Sequence, residues 1–151
     1  MDATDKRILL ELQKNGRLTN QELSDKISLS PSPCLRRVKA LEKKGLITGY
    51  HAHVDQDKCG LPINVFVLVK LDRPTEDNIA NFEQQIAVMD EVMECFLMTG
   101  THDYLLRVVS ESLQSYEHFI RKELTQLHNL AAIESSFAFG QVKKQTSLPI
   151  K

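Results

Sequence analysis

The sequence lacks the patterns that mark secreted, membrane-spanning and zinc-binding proteins. It has no Trp and three cysteines, Cys34, Cys59 and Cys95, which are widely spaced and form no Cys-x-x-Cys pair. Such spacing predicts neither a disulfide framework nor a zinc cluster, so free thiols in a reducing compartment are expected. The longest apolar runs, such as residues 65–69, are too short to span a bilayer. Since no charged-then-apolar leader opens the sequence, we expect a cytoplasmic protein without a membrane partner.

Catalytic motifs are missing as well. The sequence has no Gly-x-Ser-x-Gly elbow, no phosphate loop and no paired Cys/His spacing. One metal candidate remains, His51-x-His53-x-Asp55, whose side chains would lie on one side of a strand. An ordinary exposed strand face has the same alternation and is the favoured interpretation. We therefore predict no catalytic residue, no metal and no cofactor, and keep an enzyme as the rival function.

Charge divides the chain into a basic and an acidic part. Residues 1–50 carry 10 Lys and Arg against 6 Asp and Glu, and residues 51–151 carry 9 against 14. The parts therefore have net charges of +4 and −5, although the whole chain has −1. This asymmetry predicts a basic module that binds a polyanion and an acidic module with another task.

The basic module has the pattern of three short helices. Asp2 is a candidate N-cap for the first helix, which Gly16 would end. Thr19 and Glu22 form a capping box that would start a second helix of about two turns. A third helix would begin at the prolines of residues 31–33, where a missing N–H costs nothing, and end at Gly45.

The third helix separates an apolar face from a basic one. At 100° per residue its predicted core residues are Cys34, Leu35, Val38 and Leu41. One exposed stripe holds Arg36, Lys39 and Lys43, and the next holds Arg37, Ala40 and Lys44. Residues 46–54 alternate well enough to predict a strand pair or the edge of a wing.

Three helices with a tight turn before a basic last helix are the plan of a helix-turn-helix domain. In that plan the N-terminus of the last helix enters the major groove of double-stranded DNA, where N–H groups and hydroxyls bind phosphate and arginines reach phosphates or guanine edges. The predicted DNA-binding residues are Ser30, Ser32, Pro33, Arg36, Arg37, Lys39 and Lys43. A basic helix that is merely solvated is the alternative.

The acidic module alternates strands and helices in the order β-α-β-β-α-β. Strands are predicted at residues 63–71, 92–98, 104–109 and 133–139, with helices from residues 74–77 onward and at residues 113–127. The pattern repeats after roughly 37 residues, which is typical of a ferredoxin-like sandwich with both helices on one face of the sheet. The expected class is α+β, with domains at residues 1–62 and 63–151. The other face of the sheet needs a cover, which predicts a homodimer.

A loop between the second and third strands is a candidate ligand site. Gly100 permits a tight backbone approach, neighbouring N–H groups can hold a carboxylate, and Asp103 offers a counter-charge for an ammonium or a cap for the turn. From these residues alone an ordinary hairpin corner is favoured.

Two signatures run in order along nearly the whole chain. The first is Asp2-x-x-Asp5-x-x-Ile8-Leu9-x-x-Leu12-Gln13, Gly16-Arg17, Glu22-Leu23 and Leu29-Ser30-Pro31-Ser32-Pro33-Cys34-x-x-Arg37-Val38-x-x-Leu41-Glu42-x-x-Gly45-Leu46-Ile47. The second is Gly100-x-x-Asp103-Tyr104-Leu105-Leu106. In these two signatures the chain resembles the Lrp/AsnC family, the leucine-responsive or feast/famine regulators of bacteria and archaea.

The resemblance implies a transcription factor with a winged helix-turn-helix at about residues 20–39, with Asn20 among its DNA-binding residues. A strand near residues 47–54 would join this domain to a dimerising sandwich, and four dimers would assemble into an octamer. The implied effector is a small molecule, usually an amino acid, bound near the loop at the interface between dimers. Its candidate contacts are Thr99, Gly100, Thr101, His102, Asp103 and Tyr104, with Ser135 and Ser136 as weaker ones.

Several questions stay open at the level of sequence. Family members often carry another pair of residues between Gly100 and Asp103, so Thr101 and His102 leave the effector undetermined, and His102 either contacts it or merely titrates in the loop. A nucleoid-packing protein that binds DNA with little sequence preference shares the same basic helix and is a second rival.

Overall fold

The computed structural model describes residues 1–150 and divides into two compact units. The first contains residues 1–53 together with residues 142–150, and the second contains residues 54–141. The expected division after residue 62 thus differs at two places, because residues 54–62 group with the second unit and residues 142–150 with the first. Within the described residues no helix is long and apolar enough to cross a membrane.

The first unit contains the three predicted helices. They are α1 (Ala3–Lys14), α2 (Asn20–Ile27) and α3 (Pro31–Lys43). Asp2 is the N-cap of α1, as predicted, and also forms a capping box with Asp5, while the predicted capping box of Thr19 and Glu22 begins α2. Ser30 is the N-cap of α3 but makes no side-chain cap hydrogen bond, and Pro31 occupies the first turn. Gly45 follows the helix with φ of 69°, a value that favours glycine.

One apolar cluster holds these helices together. Its buried members are Ile8, Leu9, Leu23, Ile27, Cys34 and Leu41. Burial raises the pKa of the Cys34 thiol, which fits the predicted core role of this residue. Leu35 does not belong to the cluster: its side chain is 43% exposed, so its assignment to the core was wrong. It lies roughly 90° around the helix from the centre of the core face, too far to turn inward.

Residues 46–54 form no strand, contrary to the expectation of a strand pair or wing edge. A strand needs a neighbour to accept and donate its backbone hydrogen bonds. The four strands of the structure pair with one another in the second unit, which leaves this segment without a partner within the described chain.

Residues 147–150 complete the first unit from the far end of the chain. The Gln13 side chain accepts a hydrogen bond from the Leu148 N–H at 2.5 Å and donates one to the Leu148 carbonyl at 3.3 Å. Ile150 packs against the cluster of the three helices. The Gln13 side chain of α1 therefore binds both the backbone N–H and the backbone carbonyl of Leu148.

The second unit is the predicted βαββαβ sandwich. Its elements are β1 (Ile63–Leu71), α4 (Glu76–Ile86), β2 (Val92–Leu97), β3 (Tyr104–Ser110), α5 (Leu113–Lys122), a 3-10 turn (Leu124–Gln126) and β4 (Leu130–Phe137). The sheet has the order β2-β3-β1-β4 and its paired strands are antiparallel. The predicted helix at residues 113–127 is shorter, because Thr125 and Gln126 turn their side chains back to the Arg121 carbonyl.

The two faces of the sheet differ in cover. Both helices pack on the face that carries Val65, Val67, Val69, Leu106 and Val108, all buried. The opposite side, called the open face, carries the apolar side chains of Phe66, Leu68, Phe96 and Leu105 and the polar ones of Asn64, Glu94, Arg107, Glu134 and Ser136. Phe66 and Phe96 are 40% and 49% exposed. An apolar face of this kind is uncovered in the single chain.

Candidate DNA-binding helix and effector loop

The exposed side of α3 carries the predicted basic stripe. Ser32, Arg36, Lys39 and Lys43 recur at helical spacing and are all exposed, and Ser30 and Ser32 flank the first turn. Pro33 is half-buried in that turn. Cationic side chains and the N–H groups of a helix N-terminus both attract phosphate, so this surface has the chemistry of a nucleic-acid contact.

Arg37 has a different environment from Arg36. Its Nη1 lies 2.6 Å from Asp2 Oδ2 and 2.8 Å from Asp5 Oδ1, at the N-terminus of α1. These hydrogen bonds raise the pKa of Arg37, whereas the backbone N–H of Asp5 and then Arg37 lower the pKa of Asp2. The guanidinium therefore ties α3 to α1 and has fewer donors left for DNA.

Asn20 also connects helices. Its Nδ2 donates a hydrogen bond of 2.8 Å to the Pro31 carbonyl, which joins the start of α2 to the start of α3. Its Oδ1 is buried and has no hydrogen-bond partner within the described residues. The hydrogen bond between Asn20 and Pro31 therefore helps to hold the turn between the two helices.

Leu35 is a surface residue that the sequence interpretation missed. Its side chain precedes Arg36 and lies one turn before Lys39 on the edge of the exposed stripe. An apolar side chain at such a position can contact a thymine methyl group in the major groove. The signal was its angle on the helical wheel, which is closer to the basic stripe than to the core.

Asp103 is anchored by the backbone around it. Its Oδ2 accepts a hydrogen bond of 2.7 Å from the Leu71 N–H, and its own N–H donates to the Val69 carbonyl at 2.9 Å. Its carbonyl accepts from the Met98 N–H at 2.8 Å. Asp103 thus closes the β2–β3 hairpin and caps the end of β1, while Gly100 takes a φ of 119° that a side chain would strain.

Tyr104 is part of the core rather than the loop surface. It is 1% exposed, and its hydroxyl donates a hydrogen bond of 2.9 Å to Glu83 Oε1 on α4. Burial, followed by the contact with Glu83, raises its pKa. Its ring also lies 4.5 Å from that of Phe82, centre to centre. The Tyr104 side chain therefore packs against α4 in the core and not on the surface of the loop.

The remaining effector candidates divide between the two faces of the sheet. His102 Nε2 lies 3.6 Å from Glu134 Oε2, and Thr101 Oγ1 lies 3.2 Å from His102 Nδ1. Ser136 pairs with Phe66 and shares the open face with Glu134, whereas the Ser135 hydroxyl contacts the Tyr116 hydroxyl at 2.5 Å on the helix side. The two serines therefore cannot line one site on the same face, and Glu134 is an unforeseen neighbour of the loop.

Two cavities of the second unit lie apart from residues 99–104. The larger, of about 920 Å³, is lined by residues that include Leu113, Tyr116, Ile120, Ser135, Phe137 and Phe139. The smaller, of about 450 Å³, is lined by residues that include Glu91, Glu111, Gln114, His118 and Glu123. Of the predicted effector contacts, only Ser135 lines either one. Within residues 1–150 no three or more His, Cys, Asp or Glu side chains come together in a group that could hold a metal ion, and His51, His53 and Asp55 form no such group.

Comparison with known proteins matches both units. Residues 1–48 match a model described as winged helix-turn-helix DNA-binding, and residues 64–148 match the Lrp/AsnC ligand binding domain. The Bkd operon transcriptional regulator of Pseudomonas aeruginosa is 40% identical over 150 residues, 99% of this chain and 98% of that protein. The leucine-responsive regulatory protein of Rhizobium meliloti is 36% identical over 150 residues, 99% and 96% of the two chains. A transcriptional regulator from Neisseria meningitidis, solved as an L-Met complex, is 40% identical with a TM-score of 0.94, over 99% and 96%.

Proposed function

Because the chain belongs to the Lrp/AsnC family of transcriptional regulators, we propose that an amino acid bound to its second unit controls how α3 of its first unit binds an operator. The observation that carries this proposal is that one unit presents a basic, exposed helix, whereas the other contains a loop whose hairpin geometry is held by the hydrogen bonds of Asp103. We further propose a cytoplasmic protein that is not an enzyme and needs no cofactor.

At the DNA, α3 enters the major groove. Ser30 and Ser32 bind phosphate, Arg36 reads a base edge or phosphate, and Lys39 and Lys43 follow the backbone. Support comes from their exposure and from the unused hydroxyl of Ser30 at the helix N-terminus. Arg37 and Asn20 serve mainly to hold α3 in place, since the Arg37 guanidinium binds carboxylates at the start of α1 and Asn20 Nδ2 binds the Pro31 carbonyl.

The functional assembly is a homodimer that buries the open face, and four such dimers form an octamer. The exposed Phe66 and Phe96 support the first step, since a second copy of the same face would remove them from water. Two copies of α3 would then read a two-fold symmetric operator.

The effector binds over the loop of residues 99–104. Backbone N–H groups near Gly100 receive its carboxylate, and Glu134 with the second oxygen of Asp103 receives its ammonium. The short distance between His102 and Glu134 supports a site that reaches from the loop to β4. The L-Met complex of the Neisseria relative supports an amino acid as the class of ligand.

A thermal-shift screen with the twenty amino acids tests this function. A ligand at 100 times its dissociation constant should stabilise the folded protein by about 2.7 kcal/mol. The stabilising amino acids are then added to a titration of the selected operator. Stabilisation by none of the twenty, or a hit that leaves both operator affinity and assembly unchanged, would contradict the proposed control.

The rival function of unspecific DNA packing has its own test. Phosphate contacts weaken steeply as the salt concentration rises, whereas contacts to base edges still favour the operator sequence over random DNA. A regulator should hold a large affinity ratio between operator and random DNA at several salt concentrations. A ratio near one throughout would favour packing.

A further inference from the structure

Arg107 is a charged residue within an apolar region of the sheet. It lies on β3, opposite Phe66 of β1 and Glu94 of β2, on the open face. Its side chain is 28% exposed. A guanidinium in such surroundings needs partners for its donors, because an unpaired charge is costly to remove from water.

Three acceptors from three segments surround this guanidinium. Nε donates to Asn64 Oδ1 at 3.3 Å, Nη2 donates to Gln56 Oε1 at 3.0 Å, and Nη1 lies 3.5 Å from Glu94 Oε2. Asn64 and Glu94 belong to the sheet. Gln56 does not: it lies in the segment of residues 54–62, which follows the first unit and precedes β1.

The segment around Gln56 is itself closed into a turn. Gln56 Nε2 donates to the Leu61 carbonyl at 2.6 Å, and the Leu61 N–H donates to the Gln56 carbonyl at 3.1 Å. The Cys59 N–H donates to the Asp55 carbonyl at 3.0 Å. The turn is therefore closed on itself, and the hydrogen bond from Arg107 to Gln56 connects it to the sheet.

We propose that Arg107 is a positioning residue that sets where the chain leaves the open face toward the DNA-binding unit, and thereby sets the half-site spacing of the operator. This inference rests on the proposed dimer through the open face. Dimeric helix-turn-helix proteins bind half-sites about one helical turn apart, or multiples of it, so their preferred spacing reports the geometry between the two copies. When the connecting segment is held at the point where it leaves the sheet, the two copies of α3 can adopt few separations from each other. When that segment is loose, they can adopt many.

The experiment compares Gln56→Ala with the wild type on operators of graded spacing. Two half-sites selected by the wild-type protein are separated by different numbers of base pairs, and binding to each is measured with the full-length protein. We expect the wild type to prefer one spacing. Gln56→Ala should lose about tenfold of that preference, with binding to a single half-site and dimer mass unchanged.

Companion variants separate positioning from mere stability. Arg107→Gln should lower the spacing preference as Gln56→Ala does, and the double variant should lose no more than either, because both remove the same contact. Gln56→Glu loses the donor to the Leu61 carbonyl but keeps an acceptor for Arg107, so it should keep the spacing preference of the wild type if the contact with Arg107 is what matters. Gln85→Ala, a change on α4, is the control and should behave as wild type.

The outcomes distinguish this inference from the function on which it rests. A monomeric wild-type protein would overturn the proposed dimer, whereas a dimeric wild type that binds all spacings equally would overturn the inference that the connection is held in place. A dimeric wild type with a sharp preference that Gln56→Ala fully retains would overturn the role of Arg107 alone. Since Gln56 lies outside the sheet, its substitution tests the contact even if Arg107→Gln fails to fold.

Discussion

Arg36 and Arg37 are neighbours in sequence but differ in what they contact. Arg36 is exposed on the basic stripe, whereas Arg37 bridges to Asp2 and Asp5 of α1. We expect Arg36→Ala to weaken operator binding by about 1–3 kcal/mol if it loses a base contact, with little change in melting temperature. Arg37→Ala should lower the melting temperature of the first unit as well. Binding titrations with thermal melts measure both, and Arg73→Ala in the second unit is the control.

The opposite pattern, in which Arg37→Ala alone impairs binding while the fold stays intact, would reverse the two roles.

Asp103 combines a structural and a proposed ligand role that two substitutions can separate. Asp103→Asn keeps an oxygen for the Leu71 N–H and removes the charge, so it should retain the fold and lose amino-acid affinity. Asp103→Ala also leaves that N–H unpaired, which should cost about 1–3 kcal/mol of folding stability. Calorimetry with the stabilising amino acid and denaturant unfolding distinguish the two. Unchanged affinity in Asp103→Asn would remove Asp103 from the site.

At this scale the sequence predicted candidate functional residues but not the partners that their side chains contact. Asp103 was offered as a counter-charge or a cap, and the structure engages one of its oxygens as a cap. The partners of Arg37 lie on a helix more than thirty positions away in the sequence, and the acceptors of Arg107 lie on three segments. Such contacts depend on tertiary packing, which no local spacing reports.

Among the elements, α2 depends most on its cap. It has 8 residues, fewer than an isolated helix needs in water, and it begins with the reciprocal bonds between Thr19 and Glu22. Thr19→Ala should therefore cost about 1 kcal/mol of stability. Urea unfolding of the full chain measures this cost, and Thr19→Ser, which retains the hydroxyl, is the matched control. Equal losses for both variants would assign the effect to the methyl group instead of the cap.

The elements themselves were largely predictable because their signals are local. Capping residues, helical spacing and alternation gave the three helices and the order of strands. The exceptions have one cause: residues 46–54 alternate like a strand but find no partner, and Leu35 lies beyond the edge of the buried face. Whether a pattern becomes a strand or a core contact is decided by what packs against it.

For the whole molecule, the open face makes the clearest prediction. Phe96→Asp places a charge among the apolar side chains of that face, opposite Leu105, and should yield monomers with an intact sheet. Light scattering would show the mass of a single chain instead of that of the dimer or octamer, and operator affinity should fall to that of a single half-site. Val88→Asp changes an exposed apolar residue outside the face and should stay dimeric. A dimeric Phe96→Asp protein would move the interface elsewhere.

The contact between Ile150 and the helices of the first unit bears on how the protein emerges from the ribosome. The last of those helices ends at Lys43, so the residue that completes their packing is synthesised roughly 100 positions later. At about 5–20 residues per second, that is a wait of roughly 5–20 s. The second unit, which is continuous in sequence from residue 54 to residue 141, can close its sheet during this interval. The unit that is translated first thus gains its contact with Ile150 only after the whole second unit has been synthesised.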